Sequence, residues 1–245
     1  MSATLYSRTL NIATLTATTS ELGYPVGNLL TPQIRRPWRS VGTGTQTLDI
    51  DLGAVVVNPV IALQGCNVAA FTVSHGSVSY TTVALGARAT AEDRHGTRRL
   101  SVPLSGSVRY IRLVTTGLPT DAAPYWWAGA LYAFGDTTLL PDNPLLGSEA
   151  NPLYPQTRVD LPNGQRIVFD RGAPRQQLSL RFRTPRTSDI DTLVRLARRG
   201  PCWLDMGVAA NRELQWPVQY DSDTATRTFA QAAQDEAVIP LYEIA

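Results

Sequence analysis

Two carboxylates separated by one residue are the first candidates for chemistry. Asp49 and Asp51 occur in the segment TLDIDLG. In a β-strand this spacing places both side chains on one face, where they could form an acid/base pair or contribute ligands to a calcium ion. The alternative is a strand face on which the carboxylates are solvated or paired with arginines. We favour this alternative.

Three consecutive aromatic residues, Tyr125, Trp126 and Trp127, follow the loop that begins at Thr120. Aromatic faces stack on pyranose rings, so these residues are candidate ligands for a glycan. The alternative is that alternating members plug the open end of a β-sandwich or pack against a neighbouring subunit. The sequence shows no cluster of Asp, Asn and Arg around the rings, and we therefore favour packing or an interface.

The sequence contains none of the motifs that usually mark catalysis. It has no G-x-S-x-G or H-E-x-x-H motif, no phosphate-binding loop and no dinucleotide fingerprint. Cys66, Cys202, His75 and His95 do not have the spacing of metal ligands, and we expect the cysteines to be buried free thiols. The chain is therefore predicted not to be an enzyme, and to need neither a metal nor a cofactor.

Composition narrows the choice of partners. The 245 residues are 43% hydrophobic and 17% charged, with a net charge of +2, which is typical of a globular protein and gives no reason to expect nucleic-acid binding. No apolar run approaches the length of a membrane span, so we expect no membrane insertion, and the N-terminus lacks the pattern of a secretory signal. All 22 basic residues are arginine. Either a GC-rich genome or the suitability of arginine for protein interfaces explains this bias.

The elements that would position these residues are mostly short strands. Leu48, Ile50 and Leu52 alternate with polar residues up to Gly53, which predicts a half-buried strand ending there. The all-apolar run 60–63 predicts a strand buried on both faces. Similar alternation continues beyond residue 70, with Gly, Pro, Asn or Thr between the strands. This pattern predicts an all-β sandwich.

A change of composition divides the chain into two predicted domains. Four prolines lie within 136–156, and a Pro-rich stretch resists helix and sheet. We predict a domain over 1–138, a linker over 139–156 and a second domain over 157–245. In this second domain Asn163-Gly164 predicts a β-hairpin.

One helix is predicted over 188–199. Ser188 is a suitable N-cap and Gly200 a suitable terminator. The apolar positions fall on one face at helical spacing; they are Ile190, Leu193, Val194 and Ala197. The opposite face carries a candidate interface formed by Arg195, Arg198 and Arg199.

The order of short motifs in the first 135 residues resembles the discoidin-type, galactose-binding-like jelly roll in the version found in bacteriophage tail proteins. The matching segments are Asn28-Leu29-Leu30, Trp38-Arg39-Ser40, Asp49-Ile50-Asp51-Leu52-Gly53, Ile61-Ala62-Leu63-Gln64-Gly65-Cys66-Asn67, Arg109-Tyr110-Ile111-Arg112-Leu113 and Ala128-Gly129-Ala130-Leu131-Tyr132-Ala133-Phe134-Gly135. From about residue 150, several strands and one helix resemble the tube-type domain of phage tail proteins.

These resemblances imply a mainly β protein. An N-terminal galactose-binding-like β-sandwich, or jelly roll, would be followed by a second β-sandwich or barrel domain of tail-tube type with one flanking helix. The implied function is a structural component of a phage tail tip or baseplate. It would form a trimeric or hexameric ring and dock other tail proteins, namely tube, tape measure and hub. It would be assembled in the host cytoplasm and end in the virion tail. The alternative is a carbohydrate-binding module that attaches the virion to a host-surface glycan.

Overall fold

The computed structural model is mainly β, as the sequence predicts. It describes residues 4–31, 36–80, 83–92, 98–139, 149–153, 156–160, 165–170, 175–184, 195, 200–209, 212–220, 226–230 and 234–243. Of the predicted helix over 188–199, only Arg195 belongs to these residues, and it is helical and exposed. The rest of that prediction, including Arg198 and Arg199, lies outside the described residues.

Eleven strands and one short 3-10 helix are described between residues 4 and 139. The helix spans Val26–Leu30. The strands are β1 Thr4–Thr9, β2 Thr14–Ala17, β3 Trp38–Arg39, β4 Thr47–Val57, β5 Val60–Cys66, β6 Val68–Gly76, β7 Val83–Ala89, β8 Ala91–Glu92, β9 Arg98–Pro103, β10 Ser107–Pro119 and β11 Trp127–Leu139.

Eight further strands are described between residues 149 and 243. They are β12 Glu149–Leu153, β13 Gln156–Asp160, β14 Arg166–Asp170, β15 Arg175–Thr184, β16 Cys202–Ala209, β17 Arg212–Tyr220, β18 Thr226–Ala230 and β19 Gln234–Glu243.

The N-terminal half is a β-sandwich. One sheet has the strand order β2-β4-β10-β6-β7, and the facing sheet contains β1-β11-β5-β9-β8. Alternating aliphatic residues from both sheets fill the space between them, because every second side chain of a strand points to the same face. This core includes Leu48, Ile50, Ile61, Leu63, Phe71, Val73, Ile111 and Leu113.

Strand β5 is buried along its whole length, as its apolar sequence predicts. Ile61 and Leu63 pack into the core of the sandwich. Val60 and Ala62 point to the other face, where they join a second cluster that contains Phe134 and Trp203. Strand β5 therefore has apolar neighbours on both of its faces.

Strand β1 joins the two halves of the chain. On one side it pairs with β11, in a register that sets Leu5 opposite Thr138. On its other side it pairs with β16, where Leu5 lies opposite Leu204. Among the described residues this seam produces one continuous twelve-stranded sheet, with the main order β12-β15-β19-β17-β16-β1-β11-β5-β9-β8.

One predicted strand limit needs correction, and the predicted linker contains a strand. The predicted linker over 139–156 contains strand β12, which pairs with β15. β12 occupies the end of the sheet order, and an edge strand tolerates a proline such as Pro152 because one side of its ladder needs no N–H donor. Strand β4 continues past Gly53 to Val57. Gly53 has a positive φ of 75°, and it ends the buried alternation of β4 without ending the strand.

The hairpin predicted from Asn163-Gly164 is confirmed by the strands on either side. β13 and β14 pair antiparallel, with Asp160 opposite Arg166 and Gln156 opposite Asp170. The two strands form a sheet of their own, separate from the two larger sheets of the described chain.

Candidate functional site

The loops at one end of the sandwich bring together side chains that are distant in sequence. We call this group the loop-end cluster, and it consists of Tyr24, Arg39, Asp121, Tyr125 and Trp127. Tyr24 precedes the 3-10 helix, Arg39 lies in β3, and the other three follow β10. The pairing of β3 with β11, which sets Arg39 opposite Trp127, fixes this arrangement.

Arg39 lies between two tyrosine rings. Its guanidinium carbon is 3.7 Å from the ring centroid of Tyr24 and 4.8 Å from that of Tyr125. Both distances are within the range of cation–π attraction. Glu21 supplies an opposite charge, with its Oε2 3.9 Å from Nη1 of Arg39. The stacked rings and the carboxylate hold a planar cation at the rim of the sandwich.

Asn67 organises the loop that carries the other rings. It is 1% exposed, and its Nδ2 donates to Asp121 Oδ1 at 2.9 Å and to the Tyr125 carbonyl at 2.8 Å. Its Oδ1 accepts from the backbone N–H of Trp127 at 2.8 Å. Because these bonds satisfy the amide on both sides, Asn67 fixes the loop and does not face a ligand.

Asp121 is the exposed acceptor of the cluster. Its Oδ2 accepts from Trp127 Nε1 at 2.9 Å, and its Oδ1 accepts from the backbone N–H of Ala123 at 3.2 Å. Partial burial raises the pKa of this carboxyl, but the hydrogen bonds from Trp127, Asn67 and Ala123 outweigh that effect, so the pKa lies below its ordinary value. Asp121 is therefore ionised at neutral pH, and its Oδ2 keeps one lone pair for a further donor.

The three consecutive aromatic residues do not share one environment. Trp126 is fully buried, its backbone N–H donates to Ser40 Oγ, and its Nε1 donates to the Gly44 carbonyl at 2.9 Å. Its neighbours Tyr125 and Trp127 are half-buried. The ring of Trp126 plugs the end of the sandwich, and the structure removes it from the predicted stacking platform because no face of it is accessible.

The two carboxylates on β4, Asp49 and Asp51, are paired with arginines, which is one form of the interpretation favoured from the sequence. Arg109 donates from Nε and Nη2 to both oxygens of Asp51, at 2.8 and 3.1 Å. Arg112 does the same to Asp49, at 2.6 and 2.8 Å. Each carboxylate is therefore engaged in a bidentate ion pair. This arrangement leaves neither carboxylate placed as a free acid or base.

The two cysteines are buried free thiols, as expected. Burial raises the pKa of each of them to about 12, so neither is a thiolate at neutral pH. Within the described ranges, no group of three His, Cys, Asp or Glu residues could hold a metal ion. The same residues include no helix with the length and apolarity needed to cross a membrane.

Sequence reasoning found Tyr125 and Trp127 but not the residues around them. These residues lie up to 97 positions apart in the sequence; they are Tyr24, Arg39, Asn67 and Asp121. Arg39 and Asn67 belong to the short motifs quoted above, which was the available signal. A motif does not say which side chains meet, and the pairing of β3 with β11 supplies that information.

Comparison with known proteins gives structural matches alone. No family model matches the sequence, and no curated protein matches it significantly. Among solved structures, the CBM32 of AlyQ in complex with 4,5-unsaturated mannuronic acid is 20% identical, with a TM-score of 0.41 over 53% of this chain and 99% of that one. The family 32 CBM of NanJ from C. perfringens, in complex with galactose, is 14% identical, with a TM-score of 0.41 over 49% of this chain and 92% of that one.

A third match is chitosan-binding module 1 of a chitosanase/glucanase from Paenibacillus sp. IK-5. It is 17% identical, with a TM-score of 0.38 over 51% of this chain and 96% of that one. Scores and identities at this level do not assign a family. The sandwich architecture rests on the strand pairing of the chain itself.

Proposed function

We propose that the chain is a non-catalytic carbohydrate-binding protein whose site is the loop-end cluster. One observation supports this most: Asp121 and Arg39 lie beside the partly exposed rings of Trp127 and Tyr125. Sites for small polar ligands combine aromatic surface with a few fixed polar groups. The fold supplies the polar neighbours that the sequence alone does not reveal.

Each member of the site has a separate role in this proposal. The Trp127 ring offers an apolar surface for one face of a pyranose, and its Nε1 bond to Asp121 keeps the indole from rotating. Asp121 accepts from a sugar hydroxyl with the remaining lone pair of its Oδ2, and the guanidinium of Arg39 donates to another hydroxyl. Tyr24 and Tyr125 fix the direction of that guanidinium. No bond is made or broken.

A glycan array followed by titration calorimetry tests the proposal. We expect at least one reproducible glycan, with affinity falling at least tenfold in Trp127→Ala, which corresponds to about 1.4 kcal/mol. The melting temperature should stay near that of the wild type because the ring is only half-buried. Tyr80→Ala, which removes a ring from the sheet face beside Arg112, is the matched control and should bind normally. A blank array, or normal binding by Trp127→Ala, would contradict the proposal.

A structural role in a phage tail tip or baseplate is the second candidate. The seam at β1 favours it, because a twelve-stranded sheet shared by both halves suits a rigid adapter better than two linked modules. In this role the chain forms a trimeric or hexameric ring with other tail proteins, and Arg195, Arg198 and Arg199 contribute to the subunit interface. The motif order in the first 135 residues and the all-arginine basic set agree with it.

The arginine face offers a test of this second candidate. Arg195 is exposed and the sequence predicts Arg198 on the same helix face, so the double variant Arg195→Glu with Arg198→Glu should fold normally. The reversed charges should weaken assembly, because like charges at an interface cost several kcal/mol. Negative-stain imaging of the wild type should show rings that the double variant lacks. Rings of equal abundance in both would show that the arginines are simply solvated.

A further inference from the structure

The hairpin formed by β13 and β14 is not part of either larger sheet of the described chain. Its strands pair with each other and with no other described strand. Three of its apolar side chains are substantially exposed: Val159 at 41%, Ile167 at 39% and Val168 at 47%. An isolated two-stranded hairpin is marginally stable in water, whereas a sheet of three or more strands with an apolar face is stable. Further strand pairing would therefore stabilise this element.

On its other edge β14 pairs with no described strand, and its sequence is complementary to itself. Its five residues read Arg-Ile-Val-Phe-Asp from Arg166 to Asp170. When two copies align antiparallel about a two-fold axis at Val168, Arg166 lies opposite Asp170 of the other copy. Val168 lies opposite its own equivalent, and the two remaining apolar positions lie opposite each other. Opposite charges at both ends and apolar residues between them favour this register.

The other strand of the hairpin lacks this property. The same operation on β13, whose sequence is Gln-Thr-Arg-Val-Asp, places Arg158 directly opposite its own equivalent. Like charges at directly opposite positions are destabilising. The charge pattern thus selects β14 and disfavours β13 as the edge that pairs.

We propose that β14 pairs edge to edge with β14 of a second copy of this chain. The result is a four-stranded antiparallel sheet with the order β13-β14-β14-β13 across a two-fold axis. Alternate positions face the same side, so Val159 and Ile167 of both copies fall on one apolar face, together with position 169. Arg166 already interacts within its own chain, and its five donors allow it to bind a carboxylate of the second copy as well. The inference does not depend on carbohydrate binding.

The expected dimer is weak. Two five-residue edges bury far less than the roughly 1,000 Å² that characterises a stable interface. The pairing should therefore depend on protein concentration, and a covalent trap at the two-fold axis is the appropriate probe. The chain suits such a trap because its two native cysteines are buried.

Disulfide trapping tests the register. In the full chain, Val168→Cys places two thiols opposite each other at about 4.5–5.5 Å between Cα atoms, which a disulfide can span. Val159→Cys is the matched control, because Val159 is similarly exposed but lies at least three strand spacings, about 14 Å, from its equivalent. Under mild oxidation we expect Val168→Cys to form the covalent dimer at least tenfold faster.

A second variant tests the charge pattern. Position 170 lies opposite neutral Gln156 within its own hairpin, but opposite Arg166 in the second copy. The substitution Asp170→Arg therefore introduces a like-charge pair only between the two copies. Added to Val168→Cys, it should slow dimer formation at least tenfold, and in the wild-type background it should reduce concentration-dependent self-association in sedimentation velocity. Equal trapping rates for Val168→Cys and Val159→Cys, or no effect of Asp170→Arg, would overturn the proposal. A Val168→Cys thiol that does not react would also overturn it, because the edge would then be covered by something else.

Discussion

At the scale of single residues, the ionisation of Asp51 makes the stability of the fold depend on pH. The hydrogen bonds from Arg109 are the largest cause of its low pKa; partial burial opposes them, and the Gly53 N–H adds to them. A carboxyl whose pKa is lower in the folded than in the unfolded chain stabilises the fold above its unfolded pKa. That contribution is lost as the pH falls through the folded pKa. We therefore expect the free energy of unfolding to decrease below about pH 4, near the unfolded value for Asp.

Urea unfolding at a series of pH values, compared with Asp51→Asn, measures this effect. The variant should be less stable at pH 7 and should lose less stability between pH 4 and pH 2. Arg109→Gln is the complementary control, because NMR titration should then find the pKa of Asp51 closer to its ordinary value. If both curves have the same slope below pH 4, the ion pair does not contribute to acid sensitivity.

Three adjacent aromatic residues also show what the sequence pattern cannot predict. Tyr125, Trp126 and Trp127 are equally aromatic, and the sequence does not say which of them faces inward. The backbone bonds to Ser40 and Asn67 decide this, since they turn the middle ring into the core and its two neighbours outward. Both partners come from distant loops, so their effect could not be predicted locally.

At the scale of elements, periodicity predicts much of the sandwich because burial on one face imposes a period of two. Strands β4 and β5 follow their predicted patterns, and Asn163-Gly164 marks its hairpin because turn geometry is local. Strand β12, within the Pro-rich stretch, is not predicted, for the opposite reason. Proline is tolerated at an edge, where one side of the ladder needs no N–H donor, and edge position is a property of the whole sheet.

The loop-end cluster also depends on how strands pair, and not on the local sequence. Its charged members come from strand β3 and from the loop after β10, and the pairing of β3 with β11 brings them together. Each residue alone is unremarkable in sequence. The rings were therefore predictable as candidates, whereas the carboxylate and guanidinium beside them required the strand pairing.

At the scale of the whole molecule, the seam at β1 determines what a single cut can do. A protease site placed within 140–148 would separate the chain into fragments of roughly 140 and 100 residues. Because β1 pairs with β16, we expect the two fragments to elute together in size exclusion and to separate only in denaturant.

Trp203 provides the control for this experiment. Its ring is fully buried in the cluster that contains Tyr6 and Tyr132, so Trp203→Ala removes packing across the seam. The nicked variant should release its fragments at a lower denaturant concentration than the nicked wild type. Fragments of the wild type that separate in native buffer would show instead that the halves are independent domains.

The position of β1 also sets an order of events during synthesis. The strand leaves the ribosome before its partner strand, because Leu204 lies 199 positions after Leu5. Contacts between such distant residues form slowly because a long loop must close first. During this interval one edge of β1 has no partner and could pair with another nascent chain. Crowded translation of this protein should therefore favour misassembled oligomers, and slowing translation before residue 202 should make them more abundant.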